Sequence, residues 1–267
     1  MPGAHLSCRI RLFQSAGLFH YDSVEVQSAG IGEINFSDVA DYFARYEFGF
    51  REENDEEKTR LMKAADILGD GGHPTVVGLL VFGVCPEKVL PQSGIQFAHF
   101  HGTEPDAELL DKKFIGGRLP AQVDNTLASL KANMANASDI RGARRIDAPH
   151  YPDKVFRELL VNACVHRNYS ISGGQIRVFL FKDRFEITSP GRLPNTITIE
   201  KLVVGTSFAR NPHLVRFMEN LGYVDRLGRG LPMVAREASK LGCDLRFDEL
   251  GEEFRVTLQL PESQKKI

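Results

Sequence analysis

Glu158-Leu159-Leu160-Val161-Asn162-Ala163-Cys164-Val165-His166-Arg167-Asn168-Tyr169 reads as the back half of a helix that exits into a glycine-rich turn. Tyr151, Pro152 and Asp153 open that helix, because proline is pre-organised for a first helical turn and an acid there complements the positive end of the dipole. Val155, Phe156, Leu159, Leu160, Ala163 and Cys164 recur at helical spacing and fill one arc of the wheel. Glu158 and Asn162 sit four apart, so a carboxylate and an amide stack at the border of the apolar arc. His166 continues the same stripe, either toward a ligand or as a cap of the helix end.

Behind this helix, Ser172-Gly173-Gly174 leads into the strand Gln175 to Phe181. Asp183-Arg184 then turns into a second strand, Phe185 to Thr188, which makes a β-hairpin closed by Ser189-Pro190-Gly191. Arg210-Asn211-Pro212 opens a helix with Leu214, Val215, Met218 and Leu221 inward; Asn211 fits as its cap and Pro212 as its first residue. Gly228-Arg229-Gly230 leads into a last helix carrying Leu231, Val234, Ala238 and Leu241, followed by two closing strands. The predicted class is α+β, a C-terminal sandwich with helices on one face of a mixed sheet, preceded by a smaller α/β domain.

In the first half, residues 6–13 and 22–28 read as strands. Ser37 reads as the cap of a helix with Val39, Tyr42, Phe43 and Tyr46 on one face. A second helix starts at Asn54 or Asp55, turns Leu61, Ala65 and Leu68 inward, and ends at the Gly69–Gly72 cluster. The apolar run Thr75 to Phe82 predicts a strand buried on both faces, with Gly94 to Phe100 as its partner. Gly116, Gly117 and Pro120 mark a boundary near 118. Beyond them comes a helix with Val123, Leu127, Leu130 and Met134 inward. The resulting division is 1–118, a linking helix and loop at 119–148, the domain 149–262, and a polar tail at 263–267.

Composition narrows the function. In 267 residues, 42% are hydrophobic and 25% charged, the balance of an ordinary soluble protein, and no apolar run approaches the ~20 residues of a membrane span. A net charge of −2 excludes a surface that tracks nucleic acid throughout; only the loop Arg141 to Arg145 is densely basic. Cys8, Cys85, Cys164 and Cys243 are scattered, without a CxxC pair. With no signal peptide, the cytoplasm is the expected compartment and no membrane partner is expected.

Glu158, Asn162 and His166, the turn Ser189-Pro190-Gly191, and Gly228-Arg229-Gly230-Leu231 resemble, in that order, the ATP-binding fold shared by gyrase, the Hsp90 chaperone, histidine kinases and MutL. More closely, ELLVNACVHRNY, EITSPGRLP, ARNP and DRLGRGLPMV look like the ATPase-like domain of RecG-like or Schlafen/AlbA-type transcriptional regulators, and the resemblance covers 150–260 well. It implies ATP and Mg²⁺ as cofactors. Asn162 then ligates the metal and Glu158 is the catalytic residue that polarises the attacking water. His166, Ser189, Gly191, Arg226, Gly228, Arg229, Gly230 and Leu231 bind the nucleotide.

One feature of such ATPases is missing, the aspartate of a DxGxG turn that anchors adenine; Ser189 stands there. Nucleotide binding with weak or regulated hydrolysis is therefore the first expectation, and a non-catalytic scaffold of a transcription regulator the second. No GxxxxGK[ST] loop supports a helicase motor. A chain that opens inside a strand and closes just past its last one reads as a fragment, so DNA contact is expected mainly through parts outside it, and a homodimer remains open.

Overall fold

In the computed structural model, residues 19–47, 49–136, 151–194, 197–203, 209–225 and 228–261 are described. The helices are α1 (Phe36–Ala44), α2 (Asp55–Ala64), α3 (Val76–Phe82), α4 (Pro86–Val89), α5 (Leu119–Asn136), α6 (Asp153–His166), α7 (Ile199–Val203), α8 (Pro212–Asn220) and α9 (Gly230–Lys240). The strands are β1 (Ile95–Phe100), β2 (Leu109–Ile115), β3 (Ile176–Leu180), β4 (Arg184–Pro190), β5 (Leu245–Leu250) and β6 (Glu253–Gln259).

All six strands form one mixed sheet in the order β2-β1-β3-β4-β6-β5, parallel only between β1 and β3. β1 and β2 come from before residue 118 and the others from after it, so the sheet is continuous across that point. α6 lies over β4 with α5 and α9 on either side. Register shows that α5 and α6 share a face of the sheet. His99 of β1 bonds Asn133 of α5 (2.9 Å), its row runs through Leu180 to Phe185, and Phe185 meets the Phe156 ring of α6 at 5.3 Å. The α+β sandwich expected from the sequence is thus present.

The apolar arc of α6 explains why this helix is central. Val155, Phe156, Leu159, Leu160, Ala163 and Cys164 are all buried, each larger side chain contributing about 1.5–3 kcal/mol. The carbonyls at its end are satisfied from another segment. Arg210 Nη1 donates to His166 O at 3.2 Å, and Asn211 Nδ2 donates to Val165 O and Arg167 O at 2.9 and 2.8 Å. Asn211 therefore caps the C-terminus of α6 rather than α8, which corrects the sequence reading. The start of α8 is held instead by the buried Asp22 carboxylate, which accepts from Leu214 N at 3.0 Å.

Other expectations change in the first half. Thr75 to Phe82 is a helix, not a strand: Thr75 Oγ1 caps it by accepting from Gly78 N at 2.9 Å. Every residue from Val76 to Phe82 is buried, so the run carries no polar face from which a helical period could be read. The partners of β1 are accordingly β2 and β3, and β2 itself was missed because it alternates poorly, being exposed along most of its length. Over 22–28 there is a 3₁₀ turn, Tyr21–Ser23, and a single bridge from Glu25 to Thr75 in place of a strand. Asn35, not Ser37, caps α1, accepting from Ser37 N at 3.0 Å. The helix ends at Ala44, which leaves Tyr46 half exposed. α2 is capped by Asn54 as expected but stops before Ala65, because Asp66 adopts φ 64° and ends the helix well ahead of the glycines. The predicted strand at 6–13, the basic loop 141–145 and the tail lie outside the described residues.

Asp22 also accepts from His213 Nδ1 at 3.3 Å, and Asp66 pairs with Arg216 at 2.8 Å, tying the first segment to α8. The hydrogen bond to Asp22, reinforced by the charges of Asp22 and Asp66 against burial, raises the His213 pKa above 6.5. Stability from this group is complete below the unfolded value and fades as pH rises through the folded one. His213→Gln is therefore expected to cost stability at pH 5.5 and much less at pH 9, measured by urea unfolding; a loss independent of pH would contradict this.

Candidate functional site

A cavity of about 500 Å³ opens between the C-terminal half of α6, the end of β4, the start of α9 and the inner faces of β5 and β6. It gathers the sequence-predicted Glu158, Asn162, His166, Ser189, Gly191, Gly228, Gly230 and Leu231 from three separated stretches of chain. Arg229 is not among the lining residues; it pairs with Asp225 at 2.8 Å on the surface. Arg226 lies outside the described residues.

At one end stands the α6 pair. Asn162 Nδ2 donates to Glu158 Oε1 at 2.6 Å and to Glu158 O at 2.8 Å. Both bonds use the amide nitrogen, so the amide oxygen takes part in neither. Burial pushes the Glu158 carboxyl above its ordinary range and the charge of Asp225 adds to this, while the Asn162 hydrogen bond and Arg157 pull it back. The first residue of α9 packs directly on this carboxylate: a side chain at Gly230 would meet Glu158 Oε1 and push the carboxylate out of its present position. Gly228, at φ 64°, provides the left-handed turn that brings α9 there.

At the other end lies the turn after β4. Ser189 Oγ donates to Ala163 O at 3.0 Å, which ties the turn to α6. Gly191, at φ 118°, donates its N–H to Glu252 O at 2.7 Å, and its open side is filled by Arg210 and Asn168. Arg210 also donates to Arg192 O, and burial lowers its pKa to about 10, so it remains a cation at neutral pH.

Between the two ends the wall is apolar, built from Ile187 and Val256 of the sheet, Phe247 and Phe254, and Leu231. Charge is therefore split, with carboxylates at the α9 start and guanidinium groups at the β4 turn. Sequence reasoning missed Arg210 and Asp225 as site residues. Both fall in stretches that the family resemblance rests on, ARNP and DRLGRG, yet a structural reading of each was sufficient alone.

Residues 173–258 match the family described as "Putative ATP-dependent DNA helicase recG C-terminal". That match starts after α6, so it takes in the β4 turn and the α9 start but not Glu158 or Asn162. No curated protein matches the chain. The DIP2311 protein from Corynebacterium diphtheriae has the same fold, with a TM-score of 0.66 and 23% identity over 92% of this chain. The chain corresponds to 41% of that protein's length. Residues 173–258 thus resemble the C-terminal, ATPase-type domain of RecG-like proteins.

Proposed function

We propose that the cavity binds a purine nucleoside triphosphate together with Mg²⁺, ATP being the nucleotide implied by family resemblance, and that Glu158 supports slow hydrolysis. The observation that carries this reading is the convergence on one cavity of Glu158 and Asn162, the Gly191 turn and the glycine-framed start of α9. A volume of about 500 Å³ lies within the roughly 300–1,000 Å³ of small-molecule sites.

The donor set suits Mg²⁺, a hard cation that takes oxygen ligands from one or two side chains, water and phosphate. Asn162 would hold it through the amide oxygen that its bonds to Glu158 leave aside. When bound, the ion would neutralise phosphate charge. The α9 start offers backbone N–H groups and the positive end of a helix dipole to the phosphates. Glu158 would take a proton from the attacking water, and its raised pKa makes it a stronger base than a solvated carboxylate. In a RecG-like regulator, such a site would serve as a nucleotide-controlled element, with DNA contact made elsewhere. Free cysteines at 85, 164 and 243 agree with a cytoplasmic setting.

A second reading, a scaffold without nucleotide, is favoured by one observation: the residue in the place of the adenine anchor is Ser189, a neutral hydroxyl whose proton is directed to Ala163 O, where such ATPases carry a carboxylate acceptor. Titration of the protein with fluorescent ATP and GTP in Mg²⁺ separates the two. We expect saturation at roughly 1 μM to 1 mM; no binding to either below millimolar concentration would leave the scaffold.

A further inference from the structure

The β4 turn is where a DxGxG aspartate would accept from the adenine amino group, and here its polar groups are turned inward. Ser189 donates to Ala163 O, Pro190 has no N–H, the Pro190 carbonyl accepts from Asn168 N at 2.8 Å, and the Gly191 N–H goes to Glu252 O. A buried cation is packed against the turn instead: Arg210 Nη1 fills the space beside the Gly191 Cα.

Arg210 lines the cavity, and its two hydrogen bonds, to His166 O and Arg192 O, use two of the five N–H groups of a guanidinium. Arg192 also lines the cavity, but its Nε donates to Gly251 O at 2.5 Å and lies 3.8 Å from a Glu252 carboxylate oxygen, drawn toward the β5–β6 turn. Ser189 Oγ, its proton given to Ala163 O, keeps only acceptor lone pairs, and the charged group at this end with N–H groups beyond its own bonds is the Arg210 fork, a donor where the aspartate would accept.

The geometry points to Arg210 as the residue that determines base specificity, selecting a purine that presents acceptors on its Hoogsteen edge, guanine or hypoxanthine, over adenine. This rests on the nucleotide reading of the cavity. Guanine offers O6 and N7, both acceptors, which a guanidinium meets with two parallel bonds. Adenine places an amino donor beside N7, so one N–H of the fork would oppose another. A bidentate pair of this kind carries about 1–3 kcal/mol of discrimination, or roughly 5- to 150-fold in affinity.

The test is a titration of the wild-type protein, in Mg²⁺, with GTP, ITP, ATP and inorganic tripolyphosphate. GTP and ITP are expected to bind alike and about 10-fold or more tighter than ATP, with tripolyphosphate weaker than all three. Arg210→Gln, whose amide can accept through its oxygen as well as donate through its NH₂, should then shift preference toward ATP. Equal or tighter ATP binding overturns the inference while leaving the nucleotide site standing. Tight GTP binding without ITP binding would put recognition on the 2-amino group and also overturn it, as would tripolyphosphate binding as well as any nucleotide. Absence of binding by all four overturns this inference and the nucleotide site together. The wild-type comparison decides even if Arg210→Gln, which loses bonds to two carbonyls, fails to fold.

Discussion

Replacing Arg167 by methionine is expected to lower unfolding free energy by about 3 kcal/mol or more, a large part of the ~5–15 kcal/mol of a folded domain. Arg167 is 1% exposed. Its guanidinium donates to Asn168 O and Ile171 O at 2.8 Å and to Gly174 O at 2.6 Å, and lies 4.9 Å from the centre of the Tyr169 ring. These bonds shape the turn between α6 and β3, which in turn meets β4 through Asn168 N and Pro190 O. Two effects oppose each other. Burial of the cation is costly, as its pKa lowered to about 10 shows, and methionine would relieve that cost. Three carbonyls would then lose their donor, at about 1–3 kcal/mol each where water cannot replace it, and this is the larger effect. Equilibrium urea unfolding with an unchanged slope would measure the difference. A midpoint equal to that of the wild type would show that the turn does not depend on Arg167.

The second large effect is on turnover. Glu158→Gln is expected to retain nucleotide affinity within a few-fold and to lower the hydrolysis rate by roughly 10²- to 10⁴-fold, the contribution of a positioned base. The glutamine oxygen can still accept from Asn162 Nδ2, so the local geometry is kept, but an amide takes no proton from water at neutral pH. Because burial raises the Glu158 pKa, wild-type turnover should also fall as pH drops through a value above the ordinary carboxylate range. Single-turnover hydrolysis across pH measures both. Equal rates in the two proteins would remove Glu158 from the reaction.

How far the sequence could be read depended on how each segment is buried. α6, α8 and α9 set apolar residues against polar ones at helical spacing, so their period was visible, although Val161 and Val165 on the other side of α6 are buried as well, and the β3–β4 hairpin was flanked by clear turns. α3 is buried all round and β2 is exposed along most of one sheet edge. Neither carries the contrast from which a period is read. The candidate site was legible where glycines and an i, i+4 pair marked it, at Glu158, Asn162, Gly191 and Gly230. Ser189→Asp, a natural way to restore an adenine anchor judged from sequence, now looks costly: it would replace a donor with a carboxylate facing Ala163 O. Arg210 and Asn211 look in sequence like the start of a helix. Their role as donors to the end of α6, 44 to 46 residues away in the chain, appears only once the fold is closed.

The most direct measurement of the central claim is calorimetric titration of wild-type and Asn162→Ala protein with the tighter-binding purine triphosphate, each with Mg²⁺ and with EDTA. The amide oxygen of Asn162 is the group assigned to the metal, so wild type should lose about 10-fold or more in affinity when Mg²⁺ is removed. Asn162→Ala should bind weakly and equally in both conditions. Affinity in Asn162→Ala that still rises with Mg²⁺ as much as in wild type would contradict the assignment, and the α6 pair would then not be the metal and phosphate end of the site.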